Sequence, residues 1–442
     1  MILWVKTSGI GAIALCRLRN SAQNMAKRNY YFNAQLGDGT NNETDCVKLG
    51  RNIVDRMFAS CHSSRLVHAL GGNGKLWSRG WGDPSVLNYL SAKHEQRSSS
   101  KRCGSLYMAD DKYMDIVWQK SHQKSFDGVN IWIGEFDSPV QDGTLPPESM
   151  SARCQLVVPS SFGHPADNIS AGIPIWVHLA GTGDQFFWMR RMLSGKLAQQ
   201  GIGSLILESP YYGSRKPRKQ KGPKLQHVSD LLSLGNATIE ETISILRYFN
   251  ARGHGPLGVC GFSMGGVHAI MIAGVCNLPV ALVTFLAPQC AIPVFCQGAL
   301  SASCDWDALS RHSNSINWNE WSCEDEHVKG RLGRILRITD VTRLPPPPCP
   351  WATILVQAKD DAYIDARSEQ VIRSSWRDYW KRFPPTYDFL SSEDYGVETR
   401  WVRGGHVTSF FNQHHSFRAA LRTAMQRMVT EDVADSARYG EC

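Results

Sequence analysis

Gly255-Pro256-Leu257-Gly258-Val259-Cys260-Gly261-Phe262-Ser263-Met264-Gly265-Gly266-Val267-His268-Ala269-Ile270-Met271-Ile272-Ala273 is the stretch whose reading decides the fold. Leu257 to Cys260 has the composition of the end of a buried strand, and the residues from Gly266 onward suit a buried helix. Between them stands Gly-x-Ser-x-Gly, in the strand–turn–helix context that the pattern requires. The glycines have a steric reason. A serine held in a strained turn, its hydroxyl projecting, leaves no room for side chains two residues to either side. Gly261 and Gly265 meet that demand, and Gly266 lets the helix pack closely on the strand. The same turn sets the backbone N–H of Met264 at a helix N-terminus, where negative charge on a substrate oxygen is stabilised.

Working outward, apolar strands alternate with helical patterns, which points to a mostly parallel sheet. Residues 129–136 and 152–158 read as a hairpin-like pair around the turn-forming 137–147, an antiparallel start to that sheet. The parallel part opens with Ile173-Pro174-Ile175-Trp176-Val177-His178-Leu179, followed by Ala180-Gly181-Thr182-Gly183-Asp184 and a helix near Phe186. The loop after this strand is where a second oxyanion donor belongs, and Thr182 or Gly183 is the candidate. His178, at the end of a strand, is read as a structural histidine. A strand at 204–208 then leads into a loop holding Arg215, Lys216, Arg218, Lys219, Lys221 and Lys224, all before the next acid, Asp230. Arg215, Lys216, Arg218 and Lys219 are candidates for holding an anionic head group or membrane surface, with a solvated face as the alternative. Residues 228–249 form an amphipathic helix. Farther on, a strand ends at Lys359-Asp360-Asp361, and another ends at Arg403-Gly404-Gly405-His406. Serine, acid, histidine in that order, each just past a strand, is the pattern of an α/β-hydrolase fold. Ser263 is then the nucleophile and His406 the base, with Asp361 the acid and Asp360 its rival.

Composition bounds the rest. The chain has 442 residues, 42% hydrophobic and 20% charged, with a formal charge of +8. That balance is ordinary for a globular protein, and the charge favours anionic partners without demanding nucleic acid. No apolar run reaches a membrane span. The 13 cysteines include no C-x-x-C pair, so no zinc ribbon, redox motif or disulfide framework is expected. Neither metal nor cofactor is expected, and oligomeric state is not legible. Residues 1–37 carry Lys6, Arg17, Arg19, Lys27 and Arg28 and no acid before Asp38. That composition fits a mitochondrial presequence, with a secretory signal or an addressless tail as alternatives. The expected organisation is a basic presequence and linker over 1–50, an accessory helical segment over 51–128, and a hydrolase domain over 129–435. Helices are expected near 51–70 and 85–92, with an exposed loop at 93–102. Residues 288–349 interrupt the alternation and read as an inserted cap. Trp306, Trp318 and Trp321 would give that cap apolar surface near an acyl chain.

Several segments together resemble one family. They are Arg79-Gly80-Trp81-Gly82, His178-Leu179-Ala180-Gly181-Thr182-Gly183-Asp184, Pro210-Tyr211-Tyr212-Gly213-Ser214-Arg215-Lys216-Pro217, Ser263-Met264-Gly265-Gly266, Asp361-Ala362-Tyr363-Ile364 and Gly404-Gly405-His406. From about residue 66 to the C-terminal helix, the chain is similar to the alpha/beta hydrolase domain-containing protein 18 family. The resemblance implies a Ser-Asp-His hydrolase, a mitochondrial enzyme acting on phospholipid acyl esters, with an anionic lipid such as cardiolipin as the leading substrate. A thioesterase or small-ester hydrolase, and a non-catalytic binding protein on the same fold, are the competing expectations.

Overall fold

The structure is a computed structural model that describes residues 52–56, 74–99, 114–121, 127–167, 172–185, 187–323, 327–383 and 395–439. All of these belong to one unit, Val47–Cys442. The basic segment 1–37, the linker after it, residues 51 and 57–70 of the expected helix, and Phe186 lie outside the described residues.

Among the described residues, nine strands form one sheet: β1 (Val117–Lys120), β2 (Val129–Asp137), β3 (Ser151–Pro159), β4 (Ile175–Leu179), β5 (Gly203–Leu207), β6 (Leu257–Phe262), β7 (Val280–Phe285), β8 (Thr353–Ala358) and β9 (Glu398–Val402). Their order is β1-β2-β3-β5-β4-β6-β7-β8-β9. The first three strands and the β3–β5 pairing are antiparallel, and every pairing from β5 to β9 is parallel. Strands β4, β5, β7 and β8 are buried throughout, because helices cover both faces of a parallel sheet. This is the α/β-hydrolase fold.

The two faces show in single strands. On β6, Val259 faces one core and Cys260 the other; on β8, Leu355 opposes Ile354 and Val356. One core takes α2 (Trp188–Ala198), through Leu193 and Leu197, and the C-terminal helix His414–Tyr439, through Phe417, Leu421 and Met425. The other takes most of α3 (Val228–Ala251), α4 (Met264–Val275) and the helix Ser368–Arg382. Each fully buried Leu or Ile in these layers contributes about 1.5–3 kcal/mol.

Three expectations change. Helix α1 runs over Pro84–Ser99, so residues 93–99 are helical rather than loop. Lys93 and Arg97 both pair with Glu240 on α3, and this docking lets a polar segment stay helical. Strand β1 pairs with β2, so the sheet begins before residue 129, inside the segment read as accessory and helical. The 288–349 insertion does lie between β7 and β8, but its tryptophans play another part. Trp321 is buried, Trp318 packs edge-on against Trp81 at 5.0 Å, and Trp306 donates to the Ser301 carbonyl. Trp318 thereby fastens the insertion to the body, while Trp306 makes its bond within the insertion itself. Trp81 strengthens this by donating its indole N–H to the Leu309 carbonyl at 2.9 Å.

Candidate active site

Ser263 sits between β6 and α4 with φ 54° and ψ −117°, a conformation that costs a non-glycine residue of order 1–3 kcal/mol. Close packing enforces it. A Cβ on Gly261 would stand 2.2 Å from the Gly265 carbonyl carbon, and one on Gly265 would stand 2.6 Å from the Leu179 carbonyl oxygen. The Ser263 N–H is anchored to the Phe285 carbonyl at 2.8 Å. The start of α4 therefore presses against the end of β4, and the serine is displayed at the carboxyl edge of the sheet. The first N–H groups of α4 lack intrahelical acceptors, as at any helix start, and Met264 is the first of them.

The acid and the base meet at the same edge. The turn after β8 carries Asp361, whose Oδ1 accepts from the N–H groups of Tyr363 at 2.8 Å and Ile364 at 3.0 Å. Its Oδ2 lies 2.7 Å from His406 Nδ1. Both side chains are buried, whereas Asp360 is exposed, so Asp361 is the acid partnered with the histidine. His406 opens the short helix His406–Asn412. Its ring is stacked on Tyr363 at 4.9 Å and meets Phe262 edge-on at 5.1 Å. With Nδ1 engaged by Asp361, Nε2 is the ring nitrogen left for proton transfer. No hydrogen bond joins Ser263 to His406 in this resting arrangement. Contacts of this kind are often long in unliganded enzymes and tighten around substrate.

Thr182 lines a cleft with Ser263 and Met264. Gly183 does not, and its N–H faces the buried Tyr212 hydroxyl. Of the two oxyanion candidates, Thr182 is the one beside the serine. The cleft has a cavity volume of about 70 Å³ and opens to solvent. Leu90, Leu231, Ile239, Val267, Met271 and Phe295 make it largely apolar, and the insertion contributes through Ala291, Val294, Phe295 and Ile338. His94 and His268 also line it, and burial lowers each imidazole to about 4, so both are neutral at pH 7. His178, buried behind the sheet edge, shares a hydrogen bond of 3.1 Å with Ser204 and is lowered by burial to about 3.

Arg215 is a correction. Sequence reading placed it among the substrate-binding cations, but it is 1% exposed, with Nη1 2.8 Å and Nη2 2.5 Å from the carboxylate of Glu241 on α3. Its guanidinium also donates to the carbonyls of Glu208 and Ser149. It ties the Pro-Tyr-Tyr-Gly loop to the sheet and reaches no ligand. Lys224, counted in the same run, is also buried. Lys216 is half-buried, and Arg218, Lys219 and Lys221 are exposed.

Sequence reading also missed Asp55, a fully buried carboxylate from the N-terminal segment that bonds to the loops of both Asp361 and His406. No local motif marks it, because its partners lie more than 300 residues away. Among the described residues, no group of His, Cys, Asp or Glu is arranged to hold a metal, and no helix is long and apolar enough to cross a membrane.

A mostly parallel sheet with a serine at positive φ, a carboxylate–histidine pair on the same edge and a cleft beside them defines the α/β-hydrolase class. The chain belongs to the family described as Alpha/beta hydrolase domain containing 18, which matches residues 74–427. Among solved structures, the acetyl xylan esterase of Paenibacillus sp. R4 is similar at 13% identity, over 77% of this chain and 97% of that one, with a TM-score of 0.44. An S-formylglutathione hydrolase from Agrobacterium tumefaciens is similar at 12% identity, over 71% and 99%, with a TM-score of 0.41.

Proposed function

We propose that the protein is a serine hydrolase of carboxylic esters, with phospholipid acyl esters as its substrates. The observation that carries this reading is the buried 2.7 Å pair of Asp361 and His406 on the edge that displays Ser263. In the reaction, Ser263 Oγ attacks the ester carbonyl carbon while its proton passes to His406 Nε2. Asp361 holds the imidazole in the tautomer with Nδ1 protonated and stabilises the imidazolium. The carbonyl oxygen, now negative, is received by the backbone N–H groups of Met264 and Thr182. Collapse of the intermediate expels the alcohol, which takes the proton from His406. Water, activated by the same histidine, then releases the acid and restores the serine.

The acyl chain is the group for which the cleft is suited, since much of its wall is aliphatic and aromatic, its histidines are neutral, and Arg97 in its wall is paired with Glu240. Exposed Arg218 and Lys219, with Lys216 and Lys221, favour an anionic lipid such as cardiolipin and peripheral contact with an anionic membrane. The basic, acid-free residues 1–37 favour a mitochondrial location. A thioester on a phosphorylated carrier is the second reading, favoured by the same cations. Fluorophosphonate labelling tests the chemistry: the wild type is expected to label covalently, and Ser263→Ala to lose the label. A folded wild type that does not label overturns it. Phospholipid profiling of mitochondria with wild-type protein or Ser263→Ala tests the substrate. Accumulation of an anionic phospholipid with the variant supports the lipid reading, and an unchanged inventory turns it toward thioesters.

A further inference from the structure

We infer that Asp55 is a positioning residue for the proposed reaction, a carboxylate from the N-terminal segment that clamps the acid and histidine loops together. The inference rests on the serine-hydrolase reading, but its geometry is independent of it. Residues 53–56 form a helical turn, and Asn52 Oδ1 caps it by accepting from the N–H groups of Val54 and Asp55 at 3.0 and 3.2 Å. That turn delivers a carboxylate with no solvent exposure. One oxygen, Oδ2, accepts from the N–H of Ala362 at 3.1 Å and of His406 at 2.7 Å; the other, Oδ1, accepts from the N–H of Val407 at 2.9 Å.

These donors belong to the two loops that must agree for Asp361 and His406 to bond. Ala362 follows the acid directly, and His406 carries the base. One rigid group thus fixes the separation of the two loops. The histidine's helix starts with Gly405, which has no side chain to cap it, so Asp55 supplies the missing cap from elsewhere in the chain. The carbonyl of Asp55 adds a second hold by accepting from the Tyr363 hydroxyl at 3.1 Å, and the Tyr363 ring stacks on the imidazole. Gly405 makes the approach possible: a Cβ there would stand 2.4 Å from Asp55 Oδ2. Asp55 touches no substrate position. It acts through the 2.7 Å bond between Asp361 and His406.

Asp55 lies before the residues that match the family. Proteolytic maturation that leaves an active enzyme must therefore cut before Asn52.

The test uses the full chain with Asp55→Asn, Asp55→Ala and Gly405→Ala, assayed on a soluble p-nitrophenyl ester, with amide hydrogen exchange in parallel. The expected result is a fall in kcat of about 100-fold, the scale at which small misplacements of catalytic groups act, with KM within about twofold. Exchange protection at Ala362, His406 and Val407 is expected to drop in the same variants. A kcat within twofold of wild type in folded Asp55→Asn overturns the inference, as does an effect confined to KM or to thermal stability. If Asp55→Ala does not fold, the near-isosteric Asp55→Asn decides. If the wild type neither hydrolyses ester nor takes the fluorophosphonate label, the serine-hydrolase reading fails. Exchange protection lost in Asp55→Asn then still supports the clamp, and protection retained overturns it.

Discussion

At the scale of single residues, the site depends on small differences of placement between chemically equal groups. Asp360 and Asp361 are adjacent carboxylates, yet the turn after β8 exposes one and buries the other against His406. Asp361→Asn is expected to lower kcat by about 10⁴, since an amide no longer holds the useful tautomer. Asp360→Asn should leave kcat within twofold, measured on the same soluble ester. Comparable losses from both would remove Asp361 from its assigned place. Both aspartates were legible in the sequence as a pair at the end of a strand. The sequence already favours Asp361, and the packed loop adds the burial that separates the two. Of Thr182 and Gly183, only Thr182 lines the cleft with Ser263, while Gly183 bonds to the Tyr212 hydroxyl.

At the scale of elements, the loop 209–224 divides into two kinds of cation that look alike in a sequence. Arg215 is enclosed and paired with Glu241, which also accepts from Ser138 Oγ at 2.7 Å. Removing one partner of a buried pair strands the other charge, so Arg215→Ala should cost about 3–5 kcal/mol of stability, read by chemical denaturation. Among the described residues, its neighbours Lys216, Arg218 and Lys219 form no such pair. Neutralising these three together is expected to leave denaturation within about 0.5 kcal/mol. It should weaken binding to anionic vesicles and flatten its salt dependence. Unchanged vesicle binding would return them to an ordinary solvated face. The insertion between β7 and β8 repeats the lesson with aromatics. Its tryptophans read as ligand-facing in isolation, but Trp81, more than 200 residues earlier, recruits Trp318 for packing.

At the scale of the whole molecule, burial of neutral histidines couples stability to pH. His94, His254 and His268 are each lowered to about 4, and His178 to about 3, with burial the largest cause in every one. Unfolded, each titrates near 6.5. Between these values the unfolded chain binds more protons than the folded one, so stability falls as pH drops. Each histidine contributes fully above about pH 6.5 and loses that contribution toward pH 4, or toward pH 3 for His178, a few kcal/mol apiece by the usual conversion of pKa to free energy. Denaturation midpoints should decline across that window and stay level from pH 7 to 8. A flat profile from pH 7 down to 4 would show that these histidines titrate normally in the folded state.

The local code determined the strand–turn–helix around Ser263, the sheet's alternation and the order of serine, acid and base. Those features rest on nearest-neighbour sterics and on hydrophobic period, which short stretches of chain carry by themselves. Tertiary structure alone decided that Arg215 is a strut, that Trp318 of the insertion packs on Trp81, and that a carboxylate from residue 55 bonds to the loops of Asp361 and His406. Each of those depends on partners remote in the chain. A buried charge is stable only where distant groups meet it, and no local pattern records where that meeting occurs.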